Sequence, residues 1–99
     1  MTPKWFDEAK HELAEAAEYY LWEVPGLDED FVAEVGKAVA TIAGDPLRHR
    51  EFDPPYRRLK TRRFPYQIIY AIEGGELLIV AVMHQSREPG YWKDRLGDR

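Results

Sequence analysis

Ninety-nine residues suggest one domain, and the lack of any cysteine excludes disulfides and cysteine-based zinc sites, which suits a reducing cytoplasm. An apolar share of 44% is enough for one packed core. No stretch approaches the roughly 20 apolar residues of a membrane span, so neither a membrane anchor nor a signal peptide is expected. The net charge of −4 argues against indiscriminate coating of nucleic acid, but it hides an asymmetry: residues 1–46 carry 3 basic and 11 acidic side chains (−8), and residues 47–99 carry 11 and 7 (+4).

The first predicted element is a helix over Asp7–Trp22. Ala9, Leu13, Ala16, Ala17 and Tyr20 recur at steps of three and four and form one apolar stripe. Glu8, Glu12, Glu15 and Glu18 fill the other face, and Asp7 is placed to cap the start. Pro25-Gly26 breaks the pattern. A second helix follows over Asp28–Ala43, with three acidic residues at its start and a stripe of Phe31, Val35, Ala38, Val39 and Ile42. Gly44 and Pro46 end it. So short a turn between the helices predicts an antiparallel hairpin.

Beyond Pro46 the period changes from 3.6 to 2. Leu47–Pro55 reads as an irregular connection, and Tyr56–Arg62 as a strand rich in basic side chains. Phe64-Pro65 marks a turn. Tyr66–Ile72 is β-branched and aromatic, Gly74-Gly75 suits a two-residue hairpin turn, and Glu76–Met83 is a nearly all-apolar central strand. Residues 84–99 read as a polar tail, and Lys4–Phe6 as a very short edge strand. The prediction is an α+β domain: a helical hairpin packed on one face of a three- to four-stranded antiparallel sheet, with the other face wholly or partly open. Its core should include Leu13, Ala17, Phe31, Val35, Ile42, Ile69, Ile79 and Val82.

The string Phe64-Pro65-Tyr66-Gln67-Ile68-Ile69-Tyr70, then Ile79-Val80-Ala81-Val82-Met83-His84, then Arg87-Glu88-Pro89-Gly90-Tyr91-Trp92, resembles toxins of the RelE/ParE family. Ala9–Leu13, the pair Tyr19-Tyr20 and a second helix that ends before Pro46 extend the likeness over nearly the whole chain, read as one domain over residues 1–99. The opening strand is shorter here than in many members. The resemblance implies the toxin half of a bacterial type II toxin–antitoxin pair, with a cognate antitoxin as partner in a hetero-oligomer, no cofactor and no membrane. Family members divide between poisons of DNA gyrase and nucleases that cut messenger RNA on the ribosome, so the family does not name the target.

Arg57, Arg58, Lys60, Arg62 and Arg63 crowd one segment. On a strand, Arg58, Lys60 and Arg62 would share one face, and Arg57, Leu59 and Arg63 the other. Such a row suits an anionic partner, or it serves as a charged edge that blocks unwanted pairing. Metal-free RNA cleavage needs a base, cations at the phosphorane and an acid for the leaving oxygen. His84 is the side-chain type that titrates near neutrality, Arg87 can fork a phosphate, and Tyr91 can stack or hold an oxygen. The alternative for these three is a hydrogen-bonded histidine and aromatic caps on the core. RelE-like nucleases use a cluster of Lys and Arg plus a tyrosine near the C-terminus, and Arg58, Lys60, Arg63, Arg87 and Tyr91 match it by resemblance. The arginine-to-tyrosine spacing is shorter here, which leans towards the ParE side. His11 and Glu15, four apart, read as a solvated pair rather than metal ligands, and no metal is expected. Trp5, Tyr19, Tyr20 and Trp22 read as core or antitoxin-facing aromatics. Three functions stay open: a gyrase poison, a ribosome-dependent nuclease and a non-toxic interaction module.

Overall fold

The computed structural model describes residues 1–97; Asp98 and Arg99, the end of the expected tail, lie outside the described residues. In chain order the elements are β1 (Pro3–Trp5), α1 (Asp7–Glu23), α2 (Leu27–Gly44), β2 (Tyr56–Lys60), β3 (Tyr66–Glu73), β4 (Glu76–His84) and α3 (Lys93–Gly97). Both long helices lie within two residues of their expected bounds at each end. Asp7 is the first helical residue rather than the cap; Phe6 takes the cap position and gives no side-chain hydrogen bond. Gly26 has φ 94°, a left-handed conformation that glycine adopts freely, and this turns α1 back into α2.

The sheet order is β1-β4-β3-β2. β2 pairs with β3, and β3 with β4, antiparallel as expected. Gly74 and Gly75, both at positive φ, make the hairpin between β3 and β4. One pair corrects the expectation of an all-antiparallel sheet: β1 runs parallel to β4, with Pro3 opposite Leu77 and Trp5 opposite Ile79. The reason is topological. The helical hairpin and two strands separate β1 from β4 in sequence, so no tight turn forces them to run in opposite directions.

A second correction is the end of β2, expected at Arg62 and found at Lys60. The Thr61 hydroxyl donates to the Phe64 carbonyl at 2.6 Å, and the Glu34 carboxylate accepts the backbone N–H groups of Arg63 and Phe64 at 3.0 Å. These bonds fold residues 61–65 into a turn, so Arg62 and Arg63 leave the alternation of the strand.

The helices cover one sheet face. Tyr20 and Phe31 from the helices meet Phe64 and Tyr66 with ring centroids 4.9–6.4 Å apart, and this cluster gives the Phe64-Pro65-Tyr66 string its role in packing. Phe31, Val35, Ile42, Ile69, Ile79 and Val82 are buried as expected, and Leu13 and Ala17 pack against them half-buried.

The other face is partly open, for a reason that a reading of residues 84–99 as a polar tail does not supply. Trp92 is only 2% exposed and meets Tyr56 at 4.5 Å and Phe52 at 5.7 Å. The Tyr56 hydroxyl donates to the Lys93 carbonyl at 2.8 Å, and Lys93 Nζ pairs with Asp53 at 2.7 Å. The end of the described chain is thus clamped over one half of this face, which leaves the half around Arg58 and Lys60 open. Among the described residues, no helix is long and apolar enough to cross a membrane.

Candidate functional site

Register places the basic residues. Arg58 stands opposite Ile69, Lys60 opposite Gln67, and His84 opposite Tyr66. Side chains alternate along a strand, so Tyr66 shares a face with Ile68, and Gln67 with Ile69. Tyr66 packs against the helical Phe31. His84 therefore lies on the helix-covered face, and Arg58 and Lys60 on the other. Arg63 belongs to neither: its guanidinium pairs with Asp30 of α2 at 3.1 Å and lies over the Phe64 ring. The six candidates thus divide into a pair on the second face, a trio beside α1 and one arginine tied to α2.

The trio does come together. His84, Arg87 and Tyr91 line a shallow groove with Glu12, Glu15, Ala16, Tyr19, Tyr66 and Val82. The Ser86 backbone N–H donates to His84 Nδ1 at 3.0 Å, and the Ser86 hydroxyl lies 2.7 Å from the same nitrogen. Because an amide only donates, Nδ1 is an acceptor, and the proton of the neutral ring sits on Nε2. Arg87 lies over the Tyr91 ring at 4.0 Å from its centroid. The Tyr91 hydroxyl donates to Glu12 Oε2 at 2.6 Å. Burial first, then the bond to Glu12 and the charge of Glu12, push the Tyr91 phenol well above its ordinary value of 10.0.

Glu12 is the hub that sequence reasoning missed. It was expected on the solvated face of α1, yet its carboxylate accepts the Val82 N–H at 3.0 Å, the Tyr91 hydroxyl, and both terminal nitrogens of Arg95 at 2.9 Å. Arg95 also donates to the Val80 carbonyl at 3.0 Å. β1 covers the edge of β4 only as far as Ile79. The Glu12–Arg95 pair closes the next stretch, satisfying backbone groups that would otherwise be open to another strand. Burial works against the Arg95 charge, but its bonds to Glu12 and the charge of Glu12 outweigh that and hold its pKa above the usual value. No helical periodicity marks Glu12, because the residues it meets lie about seventy or more positions away in the chain.

On the second face, Phe52, Arg58, Gln67, Met83, Trp92 and Lys93 are among the residues that border a depression of about 210 Å³. Arg58 lies over the Phe52 ring at 4.3 Å. Gln67 Oε1 and Trp92 Nε1 are both buried without a hydrogen-bond partner among the described residues. His11 and Glu15 are exposed, and among the described residues no three potential metal-binding side chains gather. Of the aromatics on the helical side, Trp5 and Tyr20 pack against the core. Tyr19 and Trp22 stay exposed, Trp22 at 80%, beside the exposed Leu21 and Val24.

The chain matches the family model of the ParE toxin of type II toxin–antitoxin systems (parDE) over residues 4–89. A search of curated proteins finds no match. Among solved structures it is similar to a chain from a chromosomal ParDE toxin–antitoxin system of P. aeruginosa, at 19% identity and a TM-score of 0.76, covering 85% of this chain and 95% of that one. The matched residues run from β1 to just beyond β4, through the helical hairpin and the sheet that carries Arg58, Lys60 and His84, so this chain belongs to the ParE toxin family of type II toxin–antitoxin systems.

Proposed function

We propose that this chain is a toxin that is neutralised by a cognate antitoxin and that acts on DNA gyrase by binding it, without cleaving RNA. The observation that carries the reading is the division of the candidate catalytic groups. Arg58 and His84 lie on opposite faces of the sheet, Arg63 is paired with Asp30, and the Tyr91 hydroxyl is committed to Glu12. Cleavage of RNA asks for a base, an acid and cations around one phosphate. Binding asks only for a charged face, and Arg58 with Lys60 provides one. Family membership supports an antitoxin partner, and so does the exposure of the large apolar side chains Tyr19, Leu21, Trp22 and Val24 around the end of α1, of which Trp22 is the most exposed.

The test compares the two targets side by side. The purified chain is added to gyrase with relaxed plasmid, and to translating ribosomes with a defined message. The expected result is an intact message together with inhibited supercoiling and accumulated cleaved DNA, the two gyrase effects being reversed by the antitoxin. Site-specific cuts in the message with normal supercoiling would establish the RelE-like reading instead. Harmless expression without the antitoxin would leave a non-toxic interaction module.

A further inference from the structure

β2 is an outer strand of the sheet, so one of its edges meets no other strand. The pairing register tells which of its backbone groups stay open. The Thr61 N–H donates to the Tyr66 carbonyl at 2.9 Å, and residues along a strand turn their backbone groups to its two edges alternately. Arg57 and Leu59 therefore bond to β3, while the N–H and C=O groups of Arg58 and Lys60 point away from the sheet. No other backbone group among the described residues bonds to these four.

On either side of this window the chain closes its own edge. The Phe52 N–H donates to the Tyr56 carbonyl at 3.1 Å, and the Tyr56 N–H to the Asp53 carbonyl at 2.8 Å. The turn held by Thr61 ends the strand at Lys60. Glu12 and Arg95 close the stretch of β4 beyond β1 in the same sense. Arg58–Lys60 is left as a short strand template of two donors and two acceptors.

The surroundings of the template are basic with an apolar strip. A groove of about 350 Å³ lies between β2 and α2, and Ala38 and Leu59 line it together with Lys37, Lys60 and Arg62. Arg58 and Lys60 stand on the second sheet face. Lys37, Arg58, Lys60 and Arg62 are all exposed, and among the described residues no acidic side chain is within ion-pair distance of any of them. Glu34, which also borders the groove, is committed to the N–H groups of Arg63 and Phe64.

These features select the occupant. Alternating donors and acceptors match an added peptide strand. A nucleic-acid backbone offers phosphate acceptors and would leave the two carbonyls without donors. A second copy of β2 is disfavoured, because antiparallel pairing centred on Leu59 would set Arg58 opposite Lys60, with like charges on one face. The charges that block self-pairing attract a strand of opposite sign.

We infer that β2 accepts an extended acidic segment of the antitoxin as a fifth strand, bonded to the backbone of Arg58 and Lys60. An apolar residue of that segment lies opposite Leu59, towards Ala38, and acidic residues before and after it meet Arg58 and Lys60. The inference rests on the reading of the chain as an antitoxin-neutralised toxin, since the antitoxin is the partner that family membership supplies.

The experiment follows amide hydrogen exchange by NMR in the full chain, labelled with ¹⁵N, alone and with the cognate antitoxin. In the free chain the amides of Arg57 and Leu59 should be protected and those of Arg58 and Lys60 should exchange fast. In the complex the fast exchange of Arg58 and Lys60 should be lost, with α-proton contacts from this window to the antitoxin. Lys60→Pro removes one edge N–H at a position where an outer strand tolerates proline, and Lys60→Gln removes the same charge but keeps the N–H. Proline should bind the antitoxin about five- to tenfold more weakly than glutamine does, the scale of one lost hydrogen bond. Arg58→Glu should weaken binding more than Arg58→Ala, and both losses should shrink in high salt. If circular dichroism shows that Lys60→Pro does not fold, the exchange of the wild-type amides decides alone. An antitoxin complex in which Arg58 and Lys60 still exchange fast would overturn the added strand while leaving the antitoxin reading intact, even if Arg58→Glu weakens binding. Protection that appears in the chain alone as its concentration rises would assign the edge to a second copy. Protection by a short single-stranded RNA and not by the antitoxin would assign it to nucleic acid, and either result overturns the inference. Failure of the wild-type chain to bind the antitoxin at all would overturn the antitoxin reading and the added strand together.

Discussion

Glu12 and Arg95, 83 residues apart in sequence, form a bidentate pair with both contacts at 2.9 Å, and each side chain is only 15% exposed. Breaking a buried pair by removing one partner strands the other charge, at a cost of about 3–5 kcal/mol. Glu12→Ala also strips the Val82 N–H and the Tyr91 hydroxyl of their acceptor. We therefore expect Glu12→Ala to cost about 3–5 kcal/mol in urea unfolding, against a typical total stability of about 5–15 kcal/mol. Glu12→Gln keeps an acceptor for the backbone and should cost less. A loss under about 1 kcal/mol in Glu12→Ala would mean that water replaces the carboxylate easily and that the edge of β4 does not depend on it.

Glu34 and Arg63 make the opposite comparison. Glu34 is a side chain that accepts two backbone N–H groups of the turn after β2, while the Arg63 guanidinium makes a solvent-exposed ion pair with Asp30. Exposed pairs contribute about 0–1 kcal/mol, whereas a carboxylate that satisfies backbone donors contributes about 1.5–3 kcal/mol. Glu34→Ala should thus destabilise the fold more than Arg63→Ala, by about 0.5–3 kcal/mol in paired urea titrations. Equal effects would show that Thr61 alone holds the turn.

The tyrosines supply a pH test. The phenols of Tyr20, Tyr56, Tyr66, Tyr70 and Tyr91 are all raised above 10.0, in each case chiefly by burial. A group whose folded pKa exceeds its unfolded value contributes stability that is fully present below the unfolded pKa and is lost as pH rises through the folded one. Stability should therefore hold through neutral pH and fall once pH rises above about 10, the unfolded tyrosine value. Absorbance of phenolate should rise at higher pH in the native chain than in urea, and Tyr91→Phe should remove the most strongly shifted part of that difference. Superimposable native and urea titrations would contradict the burial of these rings.

Most of the fold was legible because each long helix repeats its apolar residues at helical spacing and each antiparallel strand pair carries its own turn. The Phe31, Val35 and Ile42 stripe and the Gly74-Gly75 turn are local signals. What escaped is long-range. Glu12 reads as one of four solvated glutamates until Val82, Tyr91 and Arg95 are brought to it. Trp92 sits in a stretch that looks polar by composition, and only the return of the chain over Tyr56 and Phe52 makes it core. The parallel direction of β1 carries no local mark either, because three residues pair with a strand more than seventy positions away. The basic residues of the candidate site were legible as types, but the division of Arg58 and Lys60 from His84 between two sheet faces depended on the pairing register of the strands, and Arg63 left the alternation because the turn at Thr61 ends β2 two residues early.

The last prediction concerns that division. Arg58, Lys60 and Arg87 are each changed to alanine, and growth inhibition is scored with the antitoxin withheld. A residue that stabilises a cleavage transition state should lose activity by about 100-fold or more, with affinity falling less. A residue that meets an acidic surface should lose about tenfold in affinity and toxicity together, and the loss should shrink as salt is raised. We expect the second pattern for Arg58 and Lys60, which share the open part of the second face. Arg87→Ala should act separately from them, since Arg87 lies over the Tyr91 ring beside α1; combining it with Arg58→Ala should give additive free-energy losses, as for sites without shared partners. Folding should survive in all three, because all three side chains are exposed; circular dichroism checks this before toxicity is measured. A loss of about 100-fold or more in each of the three, with ribosome-dependent cleavage by the wild-type chain, would show that the two faces act on one substrate, and the binding reading would then be abandoned.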